Sequence, residues 1–313
     1  MLISTEIHSF KKFGTNEQIL SLLKEVGFEA YDFSMFFSTP NCFIFDDDYL
    51  QKAKSLRAVA DKIGIVCNQA HAPFPVIKPT SEEWAKQIYN DLSVLLKRPF
   101  PSREDDKAEY EETLFELNCR ALKVAGTLGA KCCVIHPFAD YNAQQNAVLY
   151  NKFKSVAIEY NVKIAVENMW NYDDKRACFA PASCSHHDDF KKHMDLLDDT
   201  FVACLDLGHA ELSGLHTNCS KMILTLNDRL KALHVHDNNF HGDDHLLPFT
   251  SEIDFNAVTT ALAEIGYDGD ITFEAERFMP RFDVSFYKTA ARHMYDIGDY
   301  IRSQILLKKT IKN

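Results

Sequence analysis

VACLDLGH, residues 202–209, is four apolar residues, an aspartate and a short turn that delivers a histidine. The apolar part is too short for a helix, so it reads as a buried strand whose end carries two chemically active side chains. The same construction recurs along the chain. IVCNQAH ends at His71, CCVIH at His136, KIAVE at Glu167, LKALHVHD carries His234, and DITFE ends at Glu274. Nearly all of these runs precede a stretch of helical periodicity. In a (β/α)₈ barrel every C-terminal strand end opens at one mouth, so ligands dispersed through the sequence would converge there.

Working outward, strands are expected at 2–7 (LISTEI), 29–35 (EAYDFSM), up to His71, 131–135, 163–167, 202–206, 231–236 and 270–274. Helices are expected over 15–26, 47–63, 105–128, 144–160, 187–197, 217–228, 254–265 and 283–306, with Gly27 and Gly64 as stops and the long third helix bounded by Gly126 and Gly129. From Glu6 through Asp32, His71, His136, Glu167, Asp206 and His234 to Glu274 the steps are 26, 39, 65, 31, 39, 28 and 40 residues. Only the step after His71 is long. An insertion is therefore placed after the third strand, at about 74–103, with Trp84, Phe100 and two prolines expected to cap the mouth. The pattern predicts an α/β chain folded as one (β/α)₈ barrel domain over residues 1–313.

Composition narrows the function. The 34 basic and 45 acidic side chains give a formal charge of -11. Binding to nucleic acid rests on a basic footprint, so a nucleic-acid partner is not expected. The densest charge cluster, KRPFPSREDDK (97–107), has mixed signs and reads as a solvated loop. No apolar run approaches the ~20 residues that span a bilayer. The segment MLISTEIHSFKKFG opens on an apolar strand with its lysines later, the reverse of a signal peptide. Nine cysteines, an odd number without a CxxC pair, read as buried free thiols. The expected location is the cytoplasm.

Glu167, Asp206, His234 and Glu274 offer three carboxylates and an imidazole at equivalent strand ends. That set suits one divalent cation with open positions for substrate oxygens: Mn²⁺, Mg²⁺ or Co²⁺ by its oxygens, Zn²⁺ by its imidazole. No organic cofactor is expected. Glu167 and Glu274 fall on the fifth and eighth strands, and two carboxylates facing each other across a sugar are what reversible proton transfer at carbon needs. Any one of these acids alone reads more simply as a helix cap or a partner for lysine.

In DLGH, Asp206 is a ligand candidate and His209 reaches toward substrate or a second ion. HVHDNNFHGDDH (234–245) holds four histidines and three aspartates. His234 and His236 lie two apart on a strand and share a side. His234 is taken as the ligand, with His236 or Asp237 orienting a ligand or touching substrate. Asp243 and His245 form a DxH pair that either binds further metal or shapes the turn at Gly242. His71 and His136, each followed by a nearby proline, are placed at the site by their matched strand positions. His186, His187 and His193 read as surface residues, and Glu6 and Asp32 as polar lining.

VENMW (166–170), LDLGH (205–209), HVHDN (234–238) with DDHLLP (243–248), and TFEAE (272–276) resemble the xylose isomerase-like TIM barrel superfamily over essentially the whole chain. That group is also called the sugar phosphate isomerase/epimerase family and includes endonuclease IV. The resemblance to its sugar 3-epimerases implies metal ligation by Glu167, Asp206, His234 and Glu274, the two glutamates as acid/base pair, and His209 on the substrate. The endonuclease IV branch implies three zinc ions on nine ligands, matched here by His71, His136, Glu167, Asp206, His209, His234, Asp243, His245 and Glu274. HAPFPVI and HPFAD depart from that branch's DNA-contacting loops, and PFTSEID (248–254) departs from the glycine-rich turn common to every branch.

The expected activity is therefore isomerisation or epimerisation of a small sugar or polyol derivative through a metal-stabilised enediolate. Alternatives are a trinuclear-zinc phosphodiesterase on abasic DNA, a metal-dependent sugar or inosose-type dehydratase, and a non-catalytic sugar-binding barrel. The oligomeric state is left open.

Overall fold

The computed structural model describes residues 1–36, 42–73, 82–101 and 105–312, with the side chains of 82–88 and 312 excepted. Eight parallel strands form a ring: β1 Ile3–Thr5, β2 Ala30–Ser34, β3 Val66–His71, β4 Cys132–Ile135, β5 Lys163–Glu167, β6 Phe201–Asp206, β7 Leu230–His234 and β8 Ile271–Phe273. β2 to β7 pair in sequence order. β1 pairs with β8 through Ile3–Ile271, and single bridges Glu6–Asp32 and Val235–Phe273 close the remaining two gaps. The fold is a TIM barrel, as the strand spacing predicts.

The helices between successive strands are Asn16–Val26, Tyr49–Ile63, Glu82–Leu96 and Lys107–Leu128, Ala143–Glu159, His187–Asp195, Cys219–Leu226 and Phe255–Glu264, and Tyr287–Lys312 follows β8. Their starts are chemically marked. Thr15 and Asn142 each build a reciprocal capping box, and Asp254 accepts from the amides of Asn256 and Ala257. Gly126 does not bound its helix, which runs to Leu128 and is capped by Gly129 at φ 83°. Instead, a Cβ at Gly126 would overlap the carbonyl oxygen of Tyr160, so glycine there admits the neighbouring helix end.

Two apolar layers hold the barrel. The larger, between strands and helices, includes Phe28, Phe33, Phe153, Phe190, Phe201 and Phe273. The smaller, Cys132, Val134, Ala165, Cys204 and Ala232, packs together with Val202. All five of those residues lie an even number of positions before a polar strand end: Cys132 and Val134 before His136, Ala165 before Glu167, Cys204 before Asp206, and Ala232 before His234. Side chains alternate along a strand, so a face filled by small apolar residues at one level presents ligands at the next.

Three expectations change. The insertion after β3 carries its own helix, Glu82–Leu96. Phe100 is buried in the helix layer, its ring 5.7 Å from those of both Tyr89 and Tyr110, while residues 74–81 and the Trp84 side chain lie outside the described residues. After β5 the chain makes an unpredicted antiparallel hairpin, Trp170–Asp173 with Cys178–Pro181. Its turn, DKRA (174–177), lacks the Asn-Gly or Asp-Gly pair that marks tight hairpins. Finally, β7 stops at His234, because Val235 leaves β6 and bonds β8 instead, its amide reaching the Thr272 carbonyl at 2.8 Å.

Candidate metal centre

The polar strand ends gather at the barrel mouth. Ligand atoms of Glu167, Asp206, His234 and Glu274 all lie within 4.8 Å of one another, and all four residues are buried. His234 Nδ1 stands 3.0 Å from Glu167 Oε1, 3.2 Å from Glu274 Oε2 and 3.9 Å from Asp206 Oδ2. A single nitrogen surrounded by three carboxylates is a site for positive charge.

Two further groups adjoin this one. On one side His71 Nε2 and His136 Nε2 lie 3.3 and 2.9 Å from Glu167 Oε2 and 3.1 Å from each other. On the other, Asp243 places Oδ2 3.2 Å from His209 Nε2 and Oδ1 3.3 Å from His245 Nε2. Glu167 therefore serves two groups, one oxygen to each.

Backbone carbonyls fix how three of the imidazoles present themselves. Nδ1 of His71 bonds the Ala72 carbonyl at 2.8 Å, Nδ1 of His209 that of Asn168 at 2.9 Å, and Nδ1 of His245 that of Glu274 at 2.8 Å. A carbonyl only accepts, so each Nδ1 carries a proton. In the neutral ring, the lone pair then sits on Nε2, the atom facing the carboxylates. This is the arrangement that orients metal-bound histidines, and the donor set fits divalent cations.

Without a cation, protons balance the carboxylates. Burial opposes charge on Glu167, yet the His234 and His136 imidazoles outweigh it and hold its carboxyl well below the usual range. Burial likewise opposes charge on Asp206 and Asp243; His209 and His236 depress the first, and His245 and His209 the second. For His209, burial favours the neutral ring, but Asp206 and Asp243 prevail and raise its pKa to about 10. Glu274 goes the other way: burial, then the charges of Glu167 and Asp206, push it well above the usual carboxylate range.

Local chemistry holds these groups in place. Asp206 accepts the His209 amide at 2.7 Å, capping the one-turn helix Leu207–Ala210 that delivers His209. Asn168, which sequence reasoning passed over, locks β5 to β6: its amide bonds Asp206 O at 3.0 Å and Asp206 N at 2.8 Å. Trp170, quoted only as part of a motif, donates its indole N–H to Asp243 Oδ2 at 3.2 Å. Asp237 accepts from the amides of Ser251 and Ile253 and so shapes the loop of PFTSEID, the segment that departs from the glycine-rich turn. Glu6 caps the turn at Ser9, and Asp32 accepts from Gln69 at 2.8 Å. His193 is buried rather than on the surface; its Nε2 meets the Asn146 amide, which also bonds the loop after His136. His186 and His187 stay partly exposed.

A closed parallel ring with a carboxylate–imidazole cluster at its C-terminal mouth is a TIM barrel built around a candidate divalent-metal centre. The chain belongs to the xylose isomerase-like TIM barrel family, whose sequence pattern matches residues 20–296. A D-tagatose 3-epimerase-like protein superposes with a TM-score of 0.69 at 18% identity, covering 98% of this chain and 99% of that one. A 3-keto-D-glucoside 4-epimerase from E. coli gives 0.61 at 14% identity, over 95% and 99%. At these identities the likeness is one of fold. An uncharacterized protein of Sinorhizobium fredii is 31% identical over 191 residues, 56% of this chain and 57% of that protein, so the match spans little more than half of the relative.

Proposed function

We propose that this protein is a divalent-metal-dependent isomerase or epimerase of a small sugar or polyol derivative. The observation that carries the reading is the meeting of Glu167 and Glu274, from β5 and the end of β8, at one nitrogen, His234 Nδ1, 3.0 and 3.2 Å away. Family membership and the sugar-epimerase folds that resemble it support a sugar substrate.

Glu167, Asp206, His234 and Glu274 would hold one divalent ion, which when bound would polarise a substrate carbonyl and steady the hydroxyl beside it. The two glutamates move the proton: one removes it from the carbon next to the carbonyl, giving an enediolate, and the other returns it. Asn168 keeps the ends of β5 and β6 in register through its bonds to the Asp206 backbone. Nine free cysteines, most of them buried, agree with a cytoplasmic location, and no helix among the described residues is long and apolar enough to cross a membrane.

The test is turnover of a panel of ketoses and their phosphates by metal-loaded protein in D₂O. Product carrying deuterium at the reacting carbon is expected. Turnover without solvent deuterium would leave the glutamates as ligands only, and no turnover of any sugar would sink the reading.

One observation favours a second reading, a phosphodiesterase that uses three ions. The His71–His136–Glu167 and His209–Asp243–His245 groups are each complete, with the contacts between ligand atoms at 2.9–3.3 Å. The charge of -11 speaks against a DNA substrate. Metal stoichiometry of protein purified without chelator separates the two: one ion per chain for the epimerase, three for the phosphodiesterase. Nicking of abasic duplex DNA would decide for the latter.

A further inference from the structure

His236 is fully buried at the mouth, between the central and the Asp243-centred ligand groups. Its Nε2 lies 2.9 Å from Asp206 Oδ1 and 3.0 Å from Oδ2. An ionised carboxylate only accepts, so Nε2 carries the proton and spans both oxygens. In the neutral ring Nδ1 is then a bare acceptor, and it has no hydrogen-bond partner among the described residues. An unpaired buried acceptor is costly, and an apolar side chain of similar size would avoid that cost. What an apolar residue could not do is hold Asp206.

Two neighbours clamp the ring. It stacks on His245, with centroids 4.1 Å apart and planes inclined by 13°. It also lies against Gly208, where any Cβ would overlap the imidazole. The glycine of DLGH and the second histidine of HVH are therefore one device, joined across β6 and β7. Through His245 the same ring reaches Asp243, because His245 Nε2 stands 3.3 Å from Asp243 Oδ1.

We propose that His236 is a positioning residue that sets the orientation of Asp206 and ties it to the His209–Asp243–His245 group. Cation affinity at the central cluster then depends on the Nε2–H of His236 and on the absence of a side chain at residue 208. The inference rests on the metal-centre reading and is independent of which sugar is turned over.

The experiment strips the full chain of metal and measures Co²⁺ affinity by competition with a chromophoric chelator, together with the visible spectrum of the bound ion. The parent is compared with H236L, H236Q and G208A, and circular dichroism melts establish that each is folded. Leucine fills the space without a donor; glutamine keeps an N–H within reach. H236L and G208A are expected to weaken Co²⁺ binding by about 10- to 100-fold and to shift its absorption bands. H236Q is expected to recover most of the affinity and the parent spectrum. An H236L protein that binds as tightly as the parent, with the same bands, overturns the proposal. So does loss of a whole ion per chain in H236L and H236Q alike, since His236 would then be a ligand. A parent chain that takes up no Co²⁺ removes the metal centre itself, which distinguishes that failure from this one. If H236L does not fold, H236N, whose shorter amide falls short of Asp206, is compared with H236Q on the same terms.

Discussion

The indole N–H of Trp170 donates to Asp243 Oδ2 across 3.2 Å, linking the hairpin after β5 to the loop after β7. Trp170 is one of two tryptophans in the chain, and its ring sits edge-on to His209, 6.3 Å between centroids. A cation entering the His209–Asp243–His245 group must displace protons beside that indole. Titration with Zn²⁺ or Co²⁺ should therefore change intrinsic fluorescence. The change should vanish in Trp170→Phe and persist in Trp84→Phe. An unaltered signal in Trp170→Phe would refute the assignment.

Asp206→Ala should abolish retention of the central ion. It removes a proposed ligand of that ion and also the acceptor of the His209 amide and of His236. Metal analysis after dialysis measures this, and a variant that keeps stoichiometric ion with unchanged affinity would sink the ligand set. Asp243 and His245 changed together to alanine should leave the central ion in place. A drop of one ion or more from a higher starting content would show that the flanking group is occupied.

Glu167→Gln and Glu274→Gln should each lower kcat far more than they raise KM, because shape survives and proton transfer does not. A loss of about 10²-fold or more in kcat is the scale of a general acid or base. Steady-state kinetics with solvent-deuterium exchange provide the readout; variants that retain exchange at the parent rate would leave the two glutamates with no part in moving the proton.

In ion-free protein the pKa of His209 is raised from 6.5 to about 10, so its contribution to stability is fully present below pH 6.5. That contribution is lost as pH rises toward 10. The melting temperature of chelator-treated protein should therefore fall between those pH values, while ion-loaded protein, with neutral imidazoles, should lack that slope. Ion binding near pH 8 should also release protons, seen as acidification of a weakly buffered dye solution. Ion uptake without proton release would contradict the charge balance described for the mouth.

Asp237→Ala should leave ion content unchanged and destabilise the fold. The carboxylate is buried and accepts from Ser251 N at 2.9 Å and Ile253 N at 3.0 Å, so its removal strands two amides. A loss of about 1–3 kcal/mol in urea unfolding is expected. Loss of an ion instead would make Asp237 part of the metal centre.

The sequence by itself determined the barrel and the inventory of candidate ligands. Strand alternation and strand length are local properties. Val202 to Leu205 followed by Asp206, or Ala165 to Glu167, therefore announce both a buried strand and what stands at its end. A parallel ring then leaves one mouth for all of them. Tertiary structure alone decided how those ligands divide. That Glu167 gives one oxygen to His234 and the other to His71 and His136 depends on the register between strands far apart in sequence. Equally non-local are the carbonyls that fix the tautomers of His209 and His245, and the fit of His236 against Gly208; only His71 uses the carbonyl of its own chain neighbour, Ala72. The hairpin carrying Trp170 escaped notice because its turn has no local signature, and its bond to Asp243 joins residues 73 positions apart. Residue type and period are written along the chain, whereas hydrogen-bond partners are set by which strand lies beside which and at what height.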